Sequence, residues 1–149
     1  MIPPRWLLRI GWAVHKALFA ASGGRVGAER PRDGRLGTLF LSSTGHTSGQ
    51  VRRNALYYLE DGPNLVVVAS NAGADTDPLW WLNLQARPDA EVELGTDRRP
   101  VRARAATVDE HDRFWPRLVL ASPAYDEYRR AASRPIPVVV LEPRPGLPG

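Results

Sequence analysis

The stretch from Leu36 to Asn54 constrains this chain most. An apolar strand pattern from Leu36 to Leu41 breaks into small, hydroxylic and glycine residues and resumes as a second strand from Val51 to Leu59. The pattern predicts two strands joined by a polar turn. Gly45 and Gly49 permit positive φ and close backbone approach, while Thr44, Thr47 and Ser48 add hydroxyls to the exposed amides. Arg52 and Arg53 follow directly. Such a turn suits a phosphate or carboxylate, on which backbone donors and guanidinium groups can converge. A solvated hairpin tip of the same composition is the alternative.

The 149 residues suffice for one domain with one real core, and 43% hydrophobic with 24% charged residues is ordinary globular composition. The absence of cysteine excludes disulfides, thiolate catalysis and zinc-thiolate sites, and fits a reducing, cytoplasmic setting. His15, His46 and His111 form no spaced ligand cluster, so no metal site is expected. The net charge of +4 is carried by dispersed arginines, with Lys16 the only lysine. No nucleic-acid-binding signature accompanies them, so the sign points to an anionic ligand or membrane surface and no nucleic acid is expected.

Residues 3–21 read as an amphipathic helix with Trp6, Leu7, Ile10, Val14, Ala17, Leu18 and Ala21 on one face and Arg5, Arg9, Trp12 and Lys16 on the other. Its apolar run is too short to span a bilayer. It suits either packing on the domain or a second subunit, or peripheral contact with the inner face of the cell membrane. Residues 22–35 read as a linker, giving an N-terminal unit over 1–35, a domain over 36–143 and a tail over 144–149.

Further strands are expected at Leu65–Ser70, Ala90–Gly95, Arg99–Ala106 and Ile136–Leu141. Asp77 reads as the N-cap of a short helix with Pro78 in its first position, ending near Arg87–Pro88. Its consecutive Trp80 and Trp81 are expected to diverge, one entering the core and the other facing a groove or a partner. Thr107–Val108–Asp109–Glu110 reads as a capping box, and Pro116 implies a kink or a later helix start. Glu91 and Glu93 opposite Arg102 and Arg104 suggest cross-strand pairs. A second short helix carries Tyr125 and Tyr128 on roughly one face. The sum is a mainly β (α+β) fold, a small barrel of about six antiparallel strands with short flanking helices.

Taken together, Thr44-Gly45-x-x-Ser48-Gly49-Gln50-x-Arg52-x-Asn54, Leu59-x-Asp61-Gly62, Val67-Val68-Ala69-Ser70-x-x-Gly73, Pro78-Leu79-Trp80-x-Leu82-Asn83-Leu84-x-Ala86-x-Pro88, Trp115-Pro116-x-Leu118-Val119, Tyr125-x-x-Tyr128 and Arg134-x-Ile136-Pro137 resemble the deazaflavin-dependent nitroreductase family of split β-barrel fold. The resemblance covers about residues 36–143 and implies an oxidoreductase that passes a hydride from C5 of reduced coenzyme F-420 to an electron-poor quinone, enone or nitro-type acceptor. It implies that the coenzyme's phosphate and oligoglutamate tail lies along His46, Thr47 and Ser48 and along Arg52, Arg53, Asn54 and Ala55. The ring is expected against Val68, Ala69, Ser70 and Asn71, the helix start at Leu79, Trp80, Trp81, Leu82 and Asn83, and Tyr125.

Tyr125 and Tyr128 are candidate hydrogen-bond or proton donors to the reduced substrate, set against two tyrosines that simply pack by their rings. Ser70 is a candidate for setting hydride geometry, set against a strand cap. The chain departs from relatives in having His46-Thr47 where they carry a basic pair, Asn71-Ala72-Gly73 where they carry a lysine and two glycines, and Ser122 where nitro-reducing members carry a tyrosine. Those departures motivate the competing reading, a non-catalytic barrel that binds a lipid or other apolar anion. FMN is the alternative cofactor, and a homodimer the expected assembly.

Overall fold

The computed structural model describes residues 35–145; the expected amphipathic helix over 3–21 and the last four residues of the tail lie outside them. Six strands form the domain: β1 (Gly37–Thr44), β2 (Val51–Asp61), β3 (Asn64–Val68), β4 (Asp89–Leu94), β5 (Asp97–Ala105) and β6 (Val138–Pro143). They close an antiparallel barrel in the order β1-β2-β3-β6-β5-β4, with β4 returning to β1. Among the described residues three α-helices accompany it: α1 (Leu79–Ala86), α2 (Val108–Ala121) and α3 (Ala124–Ala131). Among the described residues no helix is long and apolar enough to cross a membrane.

The two-residue alternation of the strands sorts their side chains into two cores. Leu39, Leu41, Tyr58, Leu65, Val67, Val92, Val101, Val139 and Leu141 fill the barrel, while Leu59, Val66, Val68, Val138 and Val140 face outward and pack under α2 and α3 against Phe114, Trp115, Leu118 and Tyr125. β3 and β6 are therefore buried on both faces, which is why they read as unbroken valine runs rather than as alternating ones.

α1 lies between the end of β3 and the start of β4 and corrects two expectations. Trp80 and Trp81 both enter the interior core, with Leu84, instead of parting to opposite sides. A helix set over the open end of a barrel buries an arc wider than 100°, and two consecutive residues fit within it. Asp77 does not cap the helix: Pro78 is the N-cap, without a side-chain bond, and the Asp77 carboxylate is paired with Arg134 at 2.7 Å.

The capping box forms as expected, with Thr107 accepting from the Glu110 amide and Glu110 accepting from the Thr107 amide. α2 starts at this box and runs through Pro116 to Ala121, so the proline neither delays nor ends it. The acidic and basic residues of β4 and β5 do pair across strands, with different partners from those the alternation suggested: Glu91 with Arg98, Glu93 with Arg53, and Arg102 with Asp89. Arg104 instead joins Glu142 and Glu110, tying β5 and β6 to the start of α2.

Candidate functional site

The register brings most of the candidate residues to one end of the barrel. Thr44 ends β1 opposite Val51, Val68 ends β3 opposite Val138, and Asp89 opens β4 opposite Arg102. The β1–β2 turn, the Ser70–Gly73 segment and α1 therefore surround the same mouth.

At the turn, Gly45 donates its amide to Gln50 O at 2.7 Å and Gly49 donates to Gly45 O at 2.9 Å. A Cβ at Gly45 would lie 2.6 Å from Ser48 Oγ and 3.2 Å from Gln50 O, so the fold of the turn itself requires glycine there. The Gln50 amide bonds Ser48 Oγ, and the His46 amide bonds Asn83 Oδ1 at 3.0 Å. This leaves the Thr47 and Ser48 amides without a backbone partner among the described residues, a smaller donor set than the composition suggested.

Asn83 is buried, and its Oδ1 also meets His46 Nδ1 at 2.6 Å. Because an amide N–H can only donate, Oδ1 is the acceptor in both bonds and His46 Nδ1 carries a proton. The histidine is thereby oriented by α1, and Nε2 is its remaining polar atom. Asn83 acts here through the turn, anchoring it to the helix, a link between residues 37 positions apart that no local pattern reveals.

Alternation divides the β2 candidates. Arg52 and Asn54 fall on the inward-facing row opposite Ser43 and Leu41, whereas Arg53 and Ala55 face outward. Arg53 is committed, at 2.9 Å from Glu93 and 4.0 Å above the Phe40 ring. Arg52 is exposed and forms no ion pair among the described residues. Buried Ser43, paired in register with Arg52, has an Oγ without a hydrogen-bond partner.

On the other side of the mouth, Val68 is buried in the outer core and Ala69 in the inner one. Ser70 is half-buried and its hydroxyl caps nothing. Asn71, Ala72 and Gly73 then take three consecutive positive φ values of 46°, 56° and 80°. Asn71 Nδ2 donates to Thr76 O. On α1 the exposed apolar side chains are Leu79 and Leu82, while Trp80 and Trp81 are turned inward.

Tyr125 and Tyr128 lie outside the barrel, against the outer core beside this loop, with ring centroids 6.3 Å apart in a T-shaped contact. Burial raises the Tyr125 phenol well above its ordinary value, with further contributions from Tyr57 and Tyr128, and burial raises Tyr128 also. Both hydroxyls are thus held protonated, as hydrogen-bond donors. Tyr57, from the outward row of β2, is the third member of this group and 45% exposed; its aromatic character in a strand signalled only packing in the sequence.

Among the described residues no group of acidic residues and histidines could hold a metal ion. The donor set does fit an anionic, flat organic group. Two amides, Arg52 and the orphaned Ser43 hydroxyl suit an acidic tail, and Ser70, Leu79, Leu82 and the tyrosines suit a ring with polar edges and apolar faces.

A six-stranded antiparallel barrel with a glycine-containing polar turn at its mouth defines the protein as a member of the split-barrel class. Residues 12–143 match the family model described as F420H(2)-dependent quinone reductase, and the chain belongs to that family. A Mycobacterium tuberculosis protein carrying the same family name is 42% identical over 107 residues, covering 72% of this chain and 90% of the relative. The solved structure of an F420-H2 dependent reductase superposes with a TM-score of 0.64 at 32% identity, covering 70% of this chain and 93% of that one. A second, described as a domain-swapped dimer, gives a TM-score of 0.68 at 28% identity over 90% of this chain and 99% of its own.

Proposed function

We propose that this protein is a deazaflavin-dependent oxidoreductase that reduces a quinone-type acceptor with hydride from reduced coenzyme F-420. The family match over residues 12–143 carries this reading, and the convergence of an anion turn and a tyrosine-lined face on one barrel mouth supports it. Reduced F-420 supplies a hydride from C5 when bound. Arg52 and the Thr47 and Ser48 amides hold the acidic tail, with His46 beside them in the same turn. Ser70 meets the ring edge, and Leu79 and Leu82 cover its apolar surface. Tyr125 and Tyr128 donate hydrogen bonds to the acceptor oxygens, where negative charge develops.

The same reading includes a homodimer, the state described for one structural relative, and peripheral membrane contact through residues 3–21, which would bring a lipid-soluble quinone within reach. Deleting residues 1–21 should then abolish flotation with anionic vesicles; unchanged flotation ends the membrane part of the reading.

The test is equilibrium titration with F-420, with FMN in parallel, followed by tryptophan quenching. Saturation at micromolar coenzyme is expected for the wild type, with Arg52→Ala weakening it about tenfold, the loss of one charge-assisted contact. The absence of saturation would overturn the reading in favour of a barrel that binds an apolar anion without catalysis.

A further inference from the structure

We propose that Arg134 is the positioning residue of the site, holding the strained Ser70–Asp77 segment and the tyrosine-bearing helix α3 as one unit. The proposal rests on the reading above for its catalytic consequence, and on contacts within this chain for its structural one.

The Arg134 side chain is 14% exposed and every edge of its guanidinium is engaged. Nη2 donates to Ser70 O at 3.1 Å and Ala69 O at 3.3 Å, Nε to Ala74 O at 3.0 Å, and Nη1 to Asp77 Oδ1 at 2.7 Å and Pro135 O at 3.3 Å. These acceptors bracket the segment in which Asn71 and Ala72 hold left-handed φ values without being glycine. Side chains rarely adopt that conformation unless the surroundings impose it. A rigid fork of five donors can impose it from one point, which the single ammonium of lysine cannot.

The same segment is fastened to α3. The space a Cβ would need at Gly73 is closed by Tyr128, at 3.2 Å from Cα and 3.3 Å from O. Asp75 Oδ1 accepts from the Ser133 amide at 3.1 Å and its hydroxyl at 2.9 Å, and this contact depresses the Asp75 carboxyl below its usual range. Arg134, next in the chain, thus sits where the Ser70 side of the mouth and the Tyr125–Tyr128 side are joined. A hydride moves between groups held on these two sides, and a relative shift of about 1 Å can reduce the rate on the order of a hundredfold.

The experiment compares wild type, Arg134→Lys and Arg134→Lys/Ala72→Gly in the full chain. Without coenzyme, amide hydrogen exchange at Gly73, Ala74 and Ser133 is expected to be about tenfold or more faster in Arg134→Lys, with strand amides unchanged. With coenzyme, its binding by tryptophan quenching should change less than threefold, while single-turnover reduction of a soluble naphthoquinone falls about thirtyfold. Glycine at position 72 accepts the left-handed conformation freely and should recover a large part of that rate.

Unchanged exchange at the three amides would overturn the clamp. A rate loss matched by an equal loss of coenzyme affinity, with no recovery in the double variant, would overturn its positioning role. Wild-type protein that fails to bind F-420 would refute the functional reading alone, because the exchange comparison is made without coenzyme.

Discussion

Gly49 in the β1–β2 turn and Gly73 in the β3–α1 segment share a left-handed backbone, at φ +70° and +80°, and both border the mouth of the barrel. Their surroundings differ. A side chain at Gly49 would meet nothing within 4 Å, whereas one at Gly73 would press on the Tyr128 backbone. The first loop is exposed, closed by its own backbone bonds and moored at the Asn83 side chain. The second is bracketed by an arginine, pinned to a helix and strained at two residues that are not glycine. An anion can be captured by a loop that adjusts around it. Under the proposed function the second loop sets hydride geometry and must not move, and the density of contacts agrees with that division.

The glycine pair offers the sharpest way to break this comparison. Gly73→Ala should cost about 3 kcal/mol, summing a left-handed penalty and a clash with backbone that has little room to yield. Gly49→Ala should cost about 1 kcal/mol, the conformational term alone. Denaturant unfolding measures both, and equal losses would mean that the two loops are held alike.

Between these extremes falls Asn83→Ala, expected to cost about 2 kcal/mol because a buried acceptor disappears and the His46 amide loses its partner. Its mark should be local: faster amide exchange at residues 45–50, and none at residues 71–74. Spread of the effect to the second loop would show that the mouth behaves as one unit.

The smallest effect lies away from both loops. Arg104, and after it the Thr107 amide, hold the Glu110 carboxyl at about 2. Because the folded value is depressed, this contribution is fully present above about pH 4.5 and is lost as the pH falls toward 2. A melting-temperature profile should show the loss in that window, by about 1 kcal/mol or less for a pair this near the surface. Glu110→Gln keeps the capping geometry and should flatten the profile there, with no change at the mouth.

All six strands, the capping box and the turn between β1 and β2 were legible because each is written in a local pattern: alternation, an i to i+3 pair, glycine between hydroxyls. The boundaries shifted where a tertiary contact replaced a local one. β3 stops at Val68, and the Ala69 amide bonds Pro137 O ahead of β6. Trp80 and Trp81 do not part as expected because a helical wheel records directions around an axis and says nothing of a barrel end beneath it. Arg134 stood in a recognised motif, yet its task was hidden, since all of its acceptors except the adjacent Pro135 O lie 57 to 65 residues away.

The sequence alone determined the antiparallel barrel, the family and the place of the polar β1–β2 turn, because short-range periodicity and motif order survive without coordinates. Only the tertiary structure decided that Arg53 is spent on Glu93 while Arg52 is not, that Asn83 moors the turn, and that one arginine joins two walls of the mouth. Those facts depend on which face of a strand meets which loop. Closing the barrel sets that choice for every strand at once, since a shift of one residue would turn every side chain on a strand to the opposite face.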